Sequence, residues 1–138
     1  IGAHSSYLMQ AFTRIGLIPD AGGTYVMPRT MGFAKAMGAS LFAEKISAVD
    51  AAASGLIWEA VPDDSFEEIW KGRAAKLANG PTVAYQNVKK ALRESLGNTL
   101  GEQLALEARL QKECGQTRDF AEGVLAFTEK RAANFEGR

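Results

Sequence analysis

The chain has 138 residues, 46% of them apolar, so it is the size of one ordinary domain and carries enough apolar side chains for a core. Sixteen lysines and arginines balance sixteen aspartates and glutamates with no basic block, which argues against a nucleic-acid surface, where clustered positive charge must displace counterions. The single cysteine, Cys114, excludes an internal disulfide and suits a reducing cytoplasm, and no apolar run is long enough to span a bilayer.

Residues 5–18 read as an extended region and its exit, with Tyr7, Met9 and Phe12 as apolar positions. His4 is the only histidine, so it forms neither a triad nor a metal cluster and reads as a surface residue. From Thr24 to Phe42 the pattern turns helical, with Met27, Met31, Phe33, Met37 and Leu41 recurring, and Pro28 and Gly32 are expected to divide it into a short turn and a longer helix. The methionines read as core packing, although methionine also suits a pocket wall that adapts to an acyl chain. Ser47 with Asp50 opens a small helix over 48–54, stopped by Gly55. Leu56–Val61 reads as a short strand closed by Pro62-Asp63-Asp64, with Trp58 as a packed aromatic.

Beyond residue 64 the pattern is helical throughout. Ser65 and Glu68 form a capping box for a helix bearing Phe66, Ile69, Trp70, Ala74 and Leu77, which ends at Asn79-Gly80-Pro81. The next runs from Thr82 to Leu96, with Ala84, Val88, Ala91 and Leu92 on one face and a solvated basic face at Lys89, Lys90 and Arg93. Thr99 with Glu102 caps a third helix, in which Cys114 reads as a small core residue, and Thr117 opens a fourth with Phe120, Val124 and Phe127 in its stripe. Four amphipathic helices with little sheet to cover must bury their faces against one another or against another subunit, so oligomerisation is expected.

One stretch is arranged for chemistry: Gly16-Leu17-Ile18-Pro19-Asp20-Ala21-Gly22-Gly23-Thr24. Leu17 and Ile18 read as the end of a buried segment, Pro19 stops a ladder, and the glycine pair allows a tight turn before a helix. Asp20 therefore stands at a chain reversal, where two roles are open. It caps the following helix, or, desolvated by its apolar neighbours, it accepts a proton. Ala21-Gly22-Gly23-Thr24 is not a phosphate-cradling P-loop, because it lacks the lysine.

That stretch, followed by Met27-Pro28-Arg29-Thr30-Met31-Gly32, resembles the enoyl-CoA hydratase/isomerase (crotonase) superfamily. Ile46-Ser47-Ala48-Val49-Asp50-Ala51-Ala52-Ala53-Ser54-Gly55-Leu56-Ile57 is similar to the family's second signature, and Phe127-Thr128-Glu129-Lys130-Arg131-Ala132-Ala133-Asn134-Phe135 to its C-terminal one. The three come in the family's order and cover essentially the whole chain, matching its C-terminal half. With its start at Ile1, the chain reads as a fragment. The resemblance implies the C-terminal portion of an α/β crotonase (ClpP/crotonase-like spiral) fold, mostly helical with a few residual strands. Residues 1–64 would be the end of the core with the Asp20 loop, and residues 65–138 a helical region for oligomerisation and CoA contact. A homotrimer or hexamer is implied, with an acyl-CoA thioester as substrate and no cofactor beyond the coenzyme A it carries.

The family holds the thioester oxygen with two backbone N–H groups, and both lie upstream of Ile1 by this resemblance. Hydratases of the family add two glutamates, one also upstream and one eight residues before the position of Asp20, where this chain has Phe12. They commonly carry glycine where it has Asp20. A carboxylate is thus absent from one wall and present on another, which is the pattern of certain isomerases. The closest resemblance, through Leu17-Ile18-Pro19-Asp20 and Met37-Gly38, is to the phenylacetate-pathway isomerases that convert ring-1,2-epoxyphenylacetyl-CoA to the oxepin-CoA. By this resemblance Asp20 is the catalytic carboxylate rather than only a cap, and Phe12 forms an apolar wall suited to a ring. Phe127 and Lys130 match positions that contact the CoA adenine and phosphates, the alternative being that Lys130 and Arg131 are solvated residues of a terminal helix. Enoyl-CoA hydratase is the alternative within the class. A non-catalytic helical oligomerisation or CoA-binding module is the alternative outside it.

Overall fold

The computed structural model describes all of residues 1–138. Contacts divide the chain into two compact units, Ile1–Lys71 and Gly72–Arg138.

In the first unit the strands are two residues each. β1 (Gly2–Ala3) pairs in parallel with β4 (Ala60–Val61), and β2 (Tyr7–Leu8) pairs antiparallel with β3 (Ile46–Ser47). The extended region expected over 5–18 is therefore cut short: after β2 the chain tightens into a 3-10 helix, Ala11–Ile15, that ends on Gly16 in the left-handed conformation. The strand expected over 56–61 is likewise only β4, because the amides of Leu56 and Ile57 turn back onto the Ala51 carbonyl at the end of the preceding helix. Trp58 is 81% exposed rather than packed. The Asp63 carboxylate ties this corner to the first strand, accepting from the Ser5 amide at 3.1 Å and from the Ser5 hydroxyl.

Helix α1 (Gly23–Met31) runs through Pro28 instead of breaking there. The proline nitrogen cannot donate to the preceding turn. Around it Arg29 Nη1 donates to the Tyr25 carbonyl and Thr30 Oγ1 to those of Val26 and Met27. The break falls at Gly32, whose φ of 82° separates α1 from α2 (Phe33–Phe42), and the two helices pack on each other. The small helix α3 (Ala48–Ala53) begins as its sequence requires, with Ser47 Oγ accepting from the Asp50 amide and donating to the Asp50 carboxylate.

The second unit continues helix α4 (Phe66–Ala78) into α5 (Thr82–Glu94), α6 (Leu100–Gly115) and α7 (Arg118–Glu129). Ser65, before α4, donates its hydroxyl to the Pro62 carbonyl. Thr99 and Glu102 form the reciprocal capping box at α6, and Thr117 Oγ1 accepts from the Phe120 amide at α7. In α6 the buried face is Leu106 and Leu110, while Leu100 and Leu104 face solvent. Cys114 is half-buried, with Asn87 Nδ2 3.4 Å from its sulfur.

The core is thin for so apolar a chain. Five of its nine buried hydrophobic residues are alanines, and no large side chain is fully buried, whereas Ile18, Phe33, Phe42, Leu92 and Phe127 are all well exposed. Much apolar surface is left without a partner in the chain itself.

Candidate active site

The Asp20 loop lies wholly in the first unit and is fixed at both ends. Upstream, the Leu17 amide donates to the Phe12 carbonyl at 3.0 Å, and the 3-10 helix is tied to the end of α2 through Thr13 Oγ1 to the Ser40 carbonyl (3.2 Å) and Arg14 Nη2 to the Ala43 carbonyl (2.7 Å). Downstream, the Gly23 amide donates to the Asp20 carbonyl at 2.8 Å as α1 begins. Pro19 is buried in the turn. Gly16, Ala21 and Gly22 all have positive φ, at 76°, 49° and 83°. Glycine accepts this at no steric cost, but at Ala21 the Cβ crowds the following carbonyl, a cost of about 1–2 kcal/mol. Ala43 and Lys130 are the other non-glycine residues with positive φ.

Asp20 does not cap α1. The helix starts from Gly22 with no side-chain cap, and the Asp20 carboxylate makes no hydrogen bond or ion pair. Nor is it desolvated within the chain: Asp20 is exposed, and its neighbours Leu17 and Ile18 are 57% and 77% exposed, not the end of a buried segment. The chain thus presents a carboxylate with its lone pairs open, on a backbone with little freedom. Phe12 is half-buried on the 3-10 helix, at the other end of the same loop. A cleft of about 190 Å³ opens between α1 and α2, starting at Gly23 and Thr24. Of the methionines whose spacing predicts core packing in this region, Met27 is buried, while Met37 stands on the cleft at 42% exposure.

The other two candidate residues lie in the second unit. Phe127 is 86% exposed and borders an apolar groove of about 390 Å³ with Phe120 and Phe135, so its stripe lines a groove and is not packed. Lys130 ends α7 in a left-handed conformation, its amide closing on the Ala126 and Phe127 carbonyls, and its ammonium has no ion-pair partner. Arg131 beside it is fully engaged, bonded to Glu129 at 2.6 Å and to both oxygens of Glu122 at 2.6 and 2.9 Å. Those Arg131 bonds, with the Asn134 amide at 2.8 Å, hold the Glu122 carboxyl down to about 2 and raise the Arg131 guanidinium. Of the two adjacent cations, then, only Lys130 is available to an incoming anion. Asp119, missed in the sequence, is buried and accepts from the Glu136 and Gly137 amides at 2.7 and 2.9 Å, which clasps the C-terminal tail onto α7. No group of three His, Cys, Asp or Glu side chains is placed to hold a metal, and no helix is long and apolar enough to cross a membrane.

The fold is the C-terminal portion of the crotonase fold: a solved putative enoyl-CoA hydratase/isomerase from Mycobacterium abscessus superposes with a TM-score of 0.92 at 34% identity, over 99% of this chain and 52% of that one. The enoyl-CoA hydratase/isomerase family profile matches residues 1–138, and the chain belongs to that family. A probable enoyl-CoA hydratase from Rhodobacter capsulatus is 62% identical over all 138 residues, which span 54% of that protein. The 1,2-epoxyphenylacetyl-CoA isomerase of Escherichia coli is 40% identical over the same residues, 53% of its length. The solved enoyl-CoA hydratase structure from Bacillus anthracis superposes with a TM-score of 0.90 at 32% identity, over 99% of this chain and 53% of that one. The chain therefore spans about half the length of the relatives it matches, and it shares more residues with the hydratase than with the isomerase.

Proposed function

We propose that this chain carries the proton-transferring carboxylate of an acyl-CoA isomerase. The observation behind this reading is Asp20: a carboxylate with no partner, on a loop pinned at both ends and strained at Ala21. In the reaction Asp20 takes a proton from the carbon next to the thioester carbonyl, or from the γ-carbon of an unsaturated acyl group, and returns it at another position. The enolate between the two steps needs N–H donors at the thioester oxygen. The family resemblance puts those donors outside these residues, so the 138 residues alone are expected to show no turnover. Phe12 offers an apolar wall without a second carboxylate, which leaves no pair of bases to activate water. Phe127 and Lys130 supply an exposed ring and an unpaired ammonium, the chemistry needed for the adenine and phosphates of CoA. The exposed apolar faces of both units favour assembly into a trimer or hexamer.

Hydration of an enoyl-CoA is the second reading, favoured by the 62% identity to a probable hydratase. Asp20→Asn in the protein that carries this chain separates them. Loss of isomerisation by roughly 10²- to 10⁴-fold, the usual contribution of a positioned acid–base group, is the expected result. Isomerisation undiminished by the substitution would sink the assignment. Hydratase activity equal to that of a two-glutamate relative and abolished by the same change would establish the second reading instead.

A further inference from the structure

We propose that Glu122 is a positioning residue: its carboxylate locks the turn that ends α7, so that the Lys130 ammonium stands ready for the phosphates of the thioester while Arg131 is held aside. The proposal rests on the reading of Lys130 given above. Three observations point to it.

The first is the backbone of Lys130. Its φ is 55°, the left-handed conformation that closes a helix and that glycine usually supplies. The Lys130 amide donates to the Phe127 carbonyl at 3.3 Å and the Arg131 amide to the Ala126 carbonyl at 3.0 Å. A lysine keeps such a conformation only where its surroundings hold it, so the direction of its side chain depends on what fixes this turn.

The second is what fixes it. Glu122, about two turns back along α7, accepts from Arg131 Nη1 and Nη2 at 2.6 and 2.9 Å and from the Asn134 amide at 2.8 Å. One carboxylate thus grips the chain at two points just beyond Lys130. The forked pair with the guanidinium sets direction as well as distance. Held down to about 2, the Glu122 carboxyl stays ionised throughout the neutral range, so the grip is closed there.

The third is the division of labour that results. Arg131 is bonded through all three of its nitrogens, Nε to Glu129 and Nη1 also to the Ala132 carbonyl at 3.0 Å, which leaves it little to offer an anion. Lys130 forms an ion pair with neither carboxylate. Glu122 therefore acts on a ligand only through the turn it holds. Its removal lets the lysine leave the left-handed region and its ammonium lose its fixed place.

The test is calorimetry on the protein that carries this chain, with two probes. Butyryl-CoA has no double bond to shift or hydrate, and butyryl-pantetheine lacks the nucleotide phosphates. Lys130→Met weakens butyryl-CoA binding roughly tenfold, the low end for a hydrogen bond between charged groups. Glu122→Gln weakens it by about 3- to 10-fold, because a misplaced ammonium still attracts at longer range. Neither change moves butyryl-pantetheine, and in the Lys130→Met background Glu122→Gln has no further effect. Butyryl-CoA binding left unchanged or tightened by Glu122→Gln overturns the proposal. So does an equal loss for both probes, which marks a merely structural role, or an equal loss in both backgrounds. The two failures stay apart: Lys130→Met without effect defeats the reading of Lys130 and the proposal with it, whereas an effect of Lys130→Met with none of Glu122→Gln defeats the positioning role alone.

Discussion

Gly80 sits buried between α4 and α5, and Gly80→Ala sets two effects of opposite sign against each other. Its φ is not positive, so alanine fits the backbone, and the loss of freedom in the unfolded chain would stabilise the protein by about 0.4–1 kcal/mol. The added methyl, however, would run into the Tyr85 hydroxyl and ring edge and come within 2.6 Å of Cζ. Overpacking of this kind costs about 1–3 kcal/mol. The ring can yield by leaving its well, which costs about 0.5–1.5 kcal/mol before lost contacts are counted, so the clash outweighs the gain. The net expectation is a loss of about 1–2 kcal/mol, or a fall of roughly 5–15 °C in the melting midpoint for a unit of this size, followed by circular dichroism at 222 nm. In a Tyr85→Ala background the obstacle is gone, and the same glycine substitution should become neutral or stabilising by about 0.4–1 kcal/mol. The coupling energy of the cycle then lies at about 1.5–3 kcal/mol, as for residues in contact. A higher midpoint for Gly80→Ala alone, or an equal loss in both backgrounds, would refute the reasoning.

Three further outcomes are expected. Glu122 is held down to about 2 from an ordinary value of 4.5, so its bonds to Arg131 and Asn134 stabilise the fold above about pH 4.5 and are lost as the pH falls towards 2; Glu122→Gln should flatten the melting temperature against pH across that window, and an unchanged slope would exclude the clamp. Asp119→Ala removes the acceptor of two backbone amides, each worth about 1.5–3 kcal/mol when the acceptor is charged, but the tail can leave for water, so the net loss should be about 2–3 kcal/mol, with amide exchange at Glu136 and Gly137 faster while the amides of α6 stay protected. Light scattering on the protein that carries this chain should give a multiple of three protomers, and a monomer would remove assembly as the cover for the exposed apolar faces.

Most of the helical architecture was written in local sequence. Ser47, Thr99 and Thr117 cap helices within three residues of themselves, and a hydroxyl that meets an amide one turn away needs nothing distant to do so. The three motifs that carry the family resemblance are likewise continuous stretches, and the glycine pair after Asp20 announces its turn without knowledge of the rest. Pairing and burial were not written there. Strands of two residues exist only where a partner runs alongside, as Ala60 and Val61 do beside Gly2 and Ala3, so the pattern over 56–61 overstated the strand. Pro28 is expected to break its helix, yet α1 runs through it and the break falls at Gly32, whose φ is 82°. Leu17, Ile18, Trp58 and Phe127 are apolar, yet hydrophobicity states only that a side chain gains from leaving water, not that this chain supplies the cover. Only the tertiary structure decided that Asp20 caps nothing, that Arg131 is engaged while Lys130 is not, and that a cleft of about 190 Å³ opens between α1 and α2. These depend on which carboxylate a cation reaches and on how neighbouring helices pack, which the pattern of residue types does not contain.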